Sequence, residues 1–170
     1  ARYLRSGITS VVDVGGPFWN FDLREKANAA ELAPRVAVAG PLISTWQPPA
    51  LETEDPPILR AATPEAGREM VRRQAERKPD LIKIWYIVNP GEDPRIHLPL
   101  VSAVMDESRK HGLRVAVHAT QLETARNAVK AGADILAHSV DDKPVDDAFV
   151  ELLLDRNVLY IPTLMVLERY

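Results

Sequence analysis

Two histidines with equivalent positions are the first sign of chemistry in this sequence. His118 and His138 each occupy the last position of a short apolar segment, Val115–His118 and Ile135–His138. A single histidine at the end of a strand is more often a hydrogen-bonded structural residue, but the repeated placement favours a functional pair. Imidazole is a common ligand for zinc and similar ions. The pattern therefore predicts neighbouring imidazoles that bind a metal.

Lys83 is the second unusual residue. It lies in the middle of Leu81–Ile87, the most apolar segment of the chain, where a charged ammonium costs several kcal/mol unless it is paired or neutral. The side chain can reach the end of the strand or pair with a carboxylate. Alternatively, desolvation keeps it neutral and nucleophilic. A neutral lysine can form a Schiff base with a carbonyl substrate, or take up carbon dioxide to give a carbamate, an anionic ligand for two cations.

Strand geometry sets where these side chains point. Alternation along a strand puts Ala116 with His118 on one face, and the same count puts Leu136 with His138. We expect both imidazoles at the mouth of a barrel. Trp46 and Tyr86 are candidate substrate contacts, because aromatic side chains are enriched in pockets.

The chain supplies elements that can hold such a site. Six β-branched, apolar segments recur about every 30 residues, and each of the first five is followed by a segment with helical character. This alternation is typical of a parallel sheet covered on both faces, and the repeat length matches a (β/α)8 barrel. The segments are Ile8–Val14, Arg35–Ala39, Leu81–Ile87, Arg114–His118, Asp134–His138 and Val158–Thr163.

The sequence thus predicts an α/β fold, a partial TIM-type (β/α)8 barrel with about six parallel β/α units. We expect residues 1–170 to be the central part of one catalytic domain whose two ends are missing. A doubly wound open sheet is the alternative, but no Gly-x-Gly-x-x-Gly motif follows a strand. Residues 40–63 carry five prolines and Trp46 and are expected to form a long functional loop without periodicity.

Local signals place the helix ends. Thr63-Pro64 predicts a helix start with threonine as N-cap, and Thr120-Gln121-Leu122-Glu123 has the form of a capping box. Gly112, Gly132 and Asn157 are predicted helix ends. His111 is placed in the last turn of a helix and His97 in a loop, away from the histidine pair.

Composition excludes several classes. The 170-residue chain has a net charge of −3 with mixed signs, which does not suggest a nucleic-acid partner or an anionic membrane surface. No apolar run approaches the ~18 residues of a membrane span. The absence of cysteine excludes disulfides and thiolate metal sites without fixing the compartment. A small-molecule substrate is the expected partner, and unpaired sheet edges would allow a homo-oligomer.

Five segments together resemble the amidohydrolase superfamily, and most closely its imidazolonepropionase-like and prolidase-like members. Gly7–Gly16 is similar to the superfamily's GxTTxxDxGG strand, and Leu81–Trp85 to its strand with a carbamylated lysine. The other three resemble its two later histidine-ligand strands and the PTL strand that follows. They are Ala116–Ala119, Ala131–Ser139 and Val158–Leu164.

The resemblance implies a metal-dependent hydrolase. Lys83 would be a carbamate bridge in a centre of one or two divalent ions, commonly zinc, with His118 and His138 as ligands to one ion. A metal-activated hydroxide would cleave C–N bonds in cyclic amides, N-acyl amino acids or dipeptides. The superfamily's His-x-His pair and its general-base aspartate are absent, and Asp13 ends a different strand and cannot replace that aspartate. The fragment alone is therefore expected to be inactive.

Two other functions stay open from the residues alone. The first is a barrel lyase that forms a Schiff base through Lys83 without a metal. The second is a non-catalytic fragment that persists by association through its open sheet edges.

Overall fold

The structure, a computed structural model, describes residues 2–167. Eight short strands and seven helices make up this part of the chain. The strands are β1 (Ser10–Asp13), β2 (Arg35–Val38), β3 (Leu42–Ser44), β4 (Ile58–Arg60), β5 (Ile82–Trp85), β6 (Val115–His118), β7 (Ile135–Ala137) and β8 (Leu159–Ile161). The helices are α1 (Arg2–Arg5), α2 (Trp19–Ala29), α3 (Pro64–Ala75), α4 (Leu98–Lys110), α5 (Leu122–Ala131), α6 (Asp147–Asp155) and α7 (Leu164–Leu167). Strands and helices alternate except at β2, β3 and β4, which follow one another without an α-helix between them.

All strand pairs are parallel and form a partial barrel. Six strands follow the order β4-β3-β5-β6-β7-β8, and β1 pairs with β2. Asp80 joins the two sheets: its backbone N–H donates to the Val38 carbonyl (3.0 Å), and its carboxylate accepts from the Val38 N–H (2.8 Å). Arg24 on α2 donates to the same carboxylate (3.0 Å). The predicted parallel arrangement is confirmed.

The two faces of the sheet have different partners. The larger core lies between the strands and helices α3, α4 and α5, and it includes Ile82, Ile84, Val115 and Val117. A smaller group on the barrel side contains Ala39, Leu81 and Ala116. Small residues there leave room for the long side chain of Lys83, which is opposite Ala116 in the register of β5 and β6.

In the part of the chain that the structure describes, the barrel interior is open between β1 and β8. A cavity of about 380 Å³ is lined by apolar side chains of both strands, among them Val12 and Leu159. These two residues are more than half exposed, although they lie on the barrel side of the sheet, where residues of the other strands are buried. Within residues 2–167, no helix combines the length and the hydropathy needed to cross a bilayer.

Residues 40–63 differ from the prediction. They are not an irregular loop but contain β3, β4 and a short 3-10 turn at Pro49–Leu51. Gly40, with φ +77°, separates β2 from β3, which then pairs with β5. The prediction was wrong because strands of three residues are too short to show a period-2 pattern.

Most predicted helix ends are confirmed. The Thr63 hydroxyl accepts from the Ala66 N–H at the start of α3 (3.1 Å), and Gly112, Gly132 and Asn157 have positive φ where helices end.

The predicted capping box at Thr120 is wrong. The α5 N-cap is Gln121, whose side chain makes no capping bond. Instead the Asp142 carboxylate accepts from the Leu122 N–H (2.8 Å). An acidic group at a helix N-terminus also complements the helix dipole. Because Asp142 is 20 residues away along the chain, a local motif cannot reveal it.

The Asp142 cap leads to a stability prediction. Asp142→Ala should lower the free energy of unfolding by about 1 kcal/mol, because it removes the cap of α5. Asp141→Ala is the matched control: Asp141 is exposed, and its backbone N–H, which donates to the Thr120 carbonyl, is kept in the variant. Urea unfolding followed by circular dichroism checks both variants. Equal losses in the two would contradict the capping role.

Candidate active site

Lys83 is buried within β5 and has no hydrogen-bond partner among the described residues. Its side chain is 2% exposed, and within residues 2–167 no atom forms a hydrogen bond with Nζ. Among residues 2–167, the Lys83 ammonium therefore neither reaches water nor pairs with a carboxylate. The structure thus supports neither a lysine that reaches the end of the strand nor one that pairs with a carboxylate. Burial lowers the pKa of Lys83 to about 8, because desolvation disfavours the charged form.

His118 ends β6 beside Lys83. It is opposite Trp85 in the register of β5 and β6 and shares the barrel side with Ala116, as predicted. Burial, the neighbouring His138 and the Lys83 charge, in that order, lower the pKa of His118 to about 4. The imidazole is therefore neutral at physiological pH and keeps a lone pair for a metal ion.

His138 reaches the same mouth by a different route from the predicted one. Leu136 packs in the helix-side core, whereas Ile135 and Ala137 line the barrel cavity, so the alternation of β7 would turn the next residue toward the helices. His138 instead has φ +77°, and this left-handed backbone returns its side chain to the barrel side. The prediction that Leu136 shares a face with His138 was wrong for this reason.

Specific contacts hold His138 in that conformation. Its backbone N–H donates to the Ile161 carbonyl (2.8 Å), and ring Nδ1 lies 3.2 Å from the Thr163 hydroxyl. A left-handed conformation of a non-glycine residue costs about 1–3 kcal/mol and is concentrated at functional sites. Burial, followed by the Lys83 charge, lowers the pKa of His138.

The two imidazoles form one group. Their ring centroids are 4.8 Å apart, and both are close enough to Lys83 for its charge to lower their pKa values. A cavity of about 280 Å³ lies beside them. Its other lining residues are Thr120, Ser139, Asp141, Pro162 and Thr163.

The two aromatic candidates have different positions. Trp46 lies near the site, with its ring centroid 5.4 Å from that of Trp85. Tyr86 does not: its ring packs in the helix-side core and its hydroxyl donates to the Pro94 carbonyl. Trp85 faces the mouth instead, 6.0 Å from His118 between ring centroids. Counting two residues on from Lys83 along β5 would have identified it.

The other two histidines lie at the ends of α4. His97 immediately precedes the helix and His111 caps its C-terminus, 3.8 Å from Glu107. Across residues 2–167, no group of three His, Cys, Asp or Glu side chains could hold a metal ion. The predicted metal ligands at the mouth are therefore two neutral imidazoles and Lys83, which becomes a ligand only if its amine is neutral or carbamylated.

A family model for the amidohydrolase family matches residues 1–170. The chain belongs to the amidohydrolase family. No curated protein matches it. Among solved structures, this amidohydrolase chain is similar to a Xaa-Pro dipeptidase with methionine bound in its active site, at 27% identity and a TM-score of 0.75. The match covers 94% of this chain and 43% of that one.

Two further structures share the architecture. A putative prolidase from Bifidobacterium longum is 26% identical with a TM-score of 0.70, covering 88% of this chain and 36% of that one. Ochratoxinase of A. niger is 20% identical with a TM-score of 0.78, and the match covers 98% of this chain and 44% of that one. At this identity the similarity shows a shared fold and nothing more. The amidohydrolase chain thus spans less than half the length of these structures, and its partial barrel is part of their fold.

Burial of Lys83 leads to a stability prediction. The pKa of about 8 in the folded protein lies below the ordinary value of 10.5, so the buried charge destabilises the fold most fully below pH 8. This penalty disappears as the pH rises from 8 to 10.5. In the metal-free protein, Lys83→Met should therefore raise the free energy of unfolding at pH 7 by up to about 3 kcal/mol.

Urea unfolding at pH 7, 9 and 10.5 measures this difference. The exposed Lys130 on α5 provides the control, since Lys130→Met should change stability by no more than ~0.5 kcal/mol. A Lys83→Met variant that is less stable than the parent, or a gain that does not shrink with rising pH, would show that Lys83 is not held without a partner.

Proposed function

We propose that the full-length protein is a metal-dependent hydrolase of amide-type C–N bonds, with Lys83, His118 and His138 as metal ligands. The observation that carries the proposal is the buried Nζ of Lys83, which has no hydrogen-bond partner among residues 2–167 and lies beside two neutral imidazoles at one barrel mouth. The proposal concerns the protein at full length, because these residues are only part of the ligand set that the family resemblance implies.

The side chains fit a divalent ion. Two neutral imidazoles are suitable ligands for zinc. The Thr163 hydroxyl beside Nδ1 of His138 is the kind of second contact that fixes the orientation of a ligating ring and leaves Nε2 available. The ion, when bound, polarises a carbonyl and lowers the pKa of water.

Lys83 can complete the site as a carbamate. Its neutral amine attacks carbon dioxide. The C–N bond forms as one C=O π bond opens onto oxygen, and one proton passes from Nζ to solvent, so that the product is an anionic carbamate. The lowered pKa of Lys83 increases the fraction of neutral amine near pH 8. A carbamate would give the barrel interior two oxygen donors in place of an unpartnered ammonium, which suits two cations on either side of it.

The substrate would be a small amide that enters the cavity beside the histidines. Cyclic amides, N-acyl amino acids and dipeptides are the proposed classes. The similarity to a Xaa-Pro dipeptidase and to a putative prolidase supports the dipeptides among them. Trp46 is the proposed substrate contact, since its ring is close to Trp85 and remains 48% exposed.

A second candidate function follows from the same lysine. A buried amine with a pKa of about 8 suits a Schiff-base lyase. The adjacent imidazole pair favours the metal-dependent hydrolase, because a Schiff-base mechanism gives no role to two neighbouring neutral histidines. Borohydride reduction with a carbonyl substrate would leave a covalent adduct on Lys83 only if the lyase assignment is right.

Metal analysis of the full-length protein tests the hydrolase directly. Alanine substitution of Lys83, His118 or His138 should remove bound metal and reduce kcat/KM for a dipeptide at least about a hundredfold, since metal catalysis contributes several kcal/mol. Elemental analysis by mass spectrometry and a hydrolysis assay measure the two effects. The control is His111→Ala, which lies at the end of α4 and should retain both. Unchanged metal content in the three site variants would contradict the proposal.

Carbamylation has its own test. With ¹³C-labelled bicarbonate, the full-length protein should show a carbamate carbon signal by NMR that Lys83→Arg lacks. The guanidinium group stays charged and does not take up carbon dioxide. Lys130→Arg is the matched control and should keep the signal. If the signal persists in Lys83→Arg, the carbamate is on another amine.

A further inference from the structure

Four aromatic rings form a continuous row from the barrel mouth to the surface. The centroid of His138 lies 4.8 Å from His118, that of His118 lies 6.0 Å from Trp85, and that of Trp85 lies 5.4 Å from Trp46. The interplanar angle of the two tryptophans is 49°, so the pair is tilted rather than stacked. The tryptophans extend the candidate metal site by an apolar wall.

The strands fix the position of Trp85, the residue of this wall that is nearer the histidines. Trp85 follows Lys83 by two residues on β5 and therefore has the same face, and it lies opposite His118 in the register with β6. Because Trp85 ends the strand, its ring is at the mouth and not in the middle of the barrel.

A buried serine fixes the position of Trp46, the outer residue of this wall. Ser44 ends β3, lies opposite Trp85 in the register with β5, and is 1% exposed. Its hydroxyl donates to the Trp85 carbonyl (3.0 Å) and accepts from the Trp46 N–H (3.2 Å). One hydroxyl thus ties the backbones of both tryptophans together, and Trp46 is held close to Trp85 before any ligand arrives.

Within residues 2–167, Trp46 nevertheless keeps a large apolar surface in water. Its side chain is 48% exposed, although the Trp85 ring packs against it and the Ser44 hydroxyl holds its backbone N–H. A ligand that covers this surface gains from apolar burial and from aromatic packing, with little loss of side-chain freedom because the ring is already positioned.

We propose that Trp46 and Trp85 form a specificity subsite that binds a flat, uncharged ring attached to the scissile amide of the substrate. This inference rests on the proposed hydrolase function for the position of the amide, which would lie beside His118 and His138. Tryptophan faces also attract cations. Here the charge of Lys83, or of the divalent ions in the proposed centre, would disfavour a cationic group beside the histidines.

The test compares ligands that differ only in the ring. Full-length protein is mixed with N-benzoylglycine or N-acetylglycine, and with acetanilide or N-methylacetamide, so that the ring is on either side of the amide. The dissociation constants come from the change in tryptophan fluorescence before turnover. In at least one pair the ring compound should bind about tenfold more tightly, because it buries the apolar face of Trp46.

Variants assign this preference to the wall. The preference is the ratio of the dissociation constant of the ring-free compound to that of the ring compound. Trp46→Ala should reduce this ratio to within about twofold, and Trp46→Phe should restore most of it. Trp19→Ala is the matched control: Trp19 is 55% exposed and its ring, within the described residues, packs against no other aromatic ring. It should keep the full ratio.

The outcomes separate this inference from the proposed function. No ring preference in the parent protein, or an unchanged ratio in Trp46→Ala, overturns the subsite. If the ring preference depends on Trp46 but neither pair is hydrolysed and no metal is bound, the subsite stands and the hydrolase assignment fails. If the protein binds metal and hydrolyses an amide but shows no ring preference, the hydrolase assignment stands and the subsite fails.

Discussion

Desolvation of Lys83 is the constraint on which the site depends. Lys83 has almost no exposed surface and no hydrogen-bond partner among residues 2–167. Such a lysine destabilises a barrel interior unless a ligand or a modification interacts with its nitrogen. Its neighbours accommodate it sterically but do not neutralise it: Ala116 lies opposite Lys83, and Ile82 and Ile84 turn toward the helices. The fold therefore maintains a destabilising group, as functional sites often do.

The strand ends turn this constraint into a site. His118 follows from the ordinary alternation of β6, whereas His138 depends on a left-handed backbone that reverses the alternation of β7. Two different local solutions bring both imidazoles to one mouth, 4.8 Å apart. His138 donates its backbone N–H to Ile161, and its ring Nδ1 contacts the Thr163 hydroxyl. Both partners lie in or just after β8, so the histidine pair depends on the neighbouring strand as well as on its own.

The sequence predicted the features that repeat and missed those that depend on tertiary contacts. The repeat of strands and helices and the partial barrel follow from periodicity, and the positions of Lys83 within a strand and of His118 and His138 at strand ends follow from the residue types. Strands β3 and β4 are too short for any period. The cap of α5 comes from Asp142, which is distant in sequence, and the conformation of His138 requires a partner strand. Tyr86 and Trp85 are adjacent, so only the face of β5 decides which one reaches the mouth.

Lys83, His118 and His138 are proposed to bind metal together. Anomalous diffraction at the zinc edge from crystals of the full-length protein, grown with zinc and bicarbonate, would locate the ion relative to these three side chains. If these residues bind metal together, an anomalous peak lies about 2.0–2.2 Å from an imidazole nitrogen of each histidine and from a carbamate oxygen on Lys83. Zinc bound elsewhere, with Lys83 present as an unmodified amine paired with a carboxylate, would contradict this proposal.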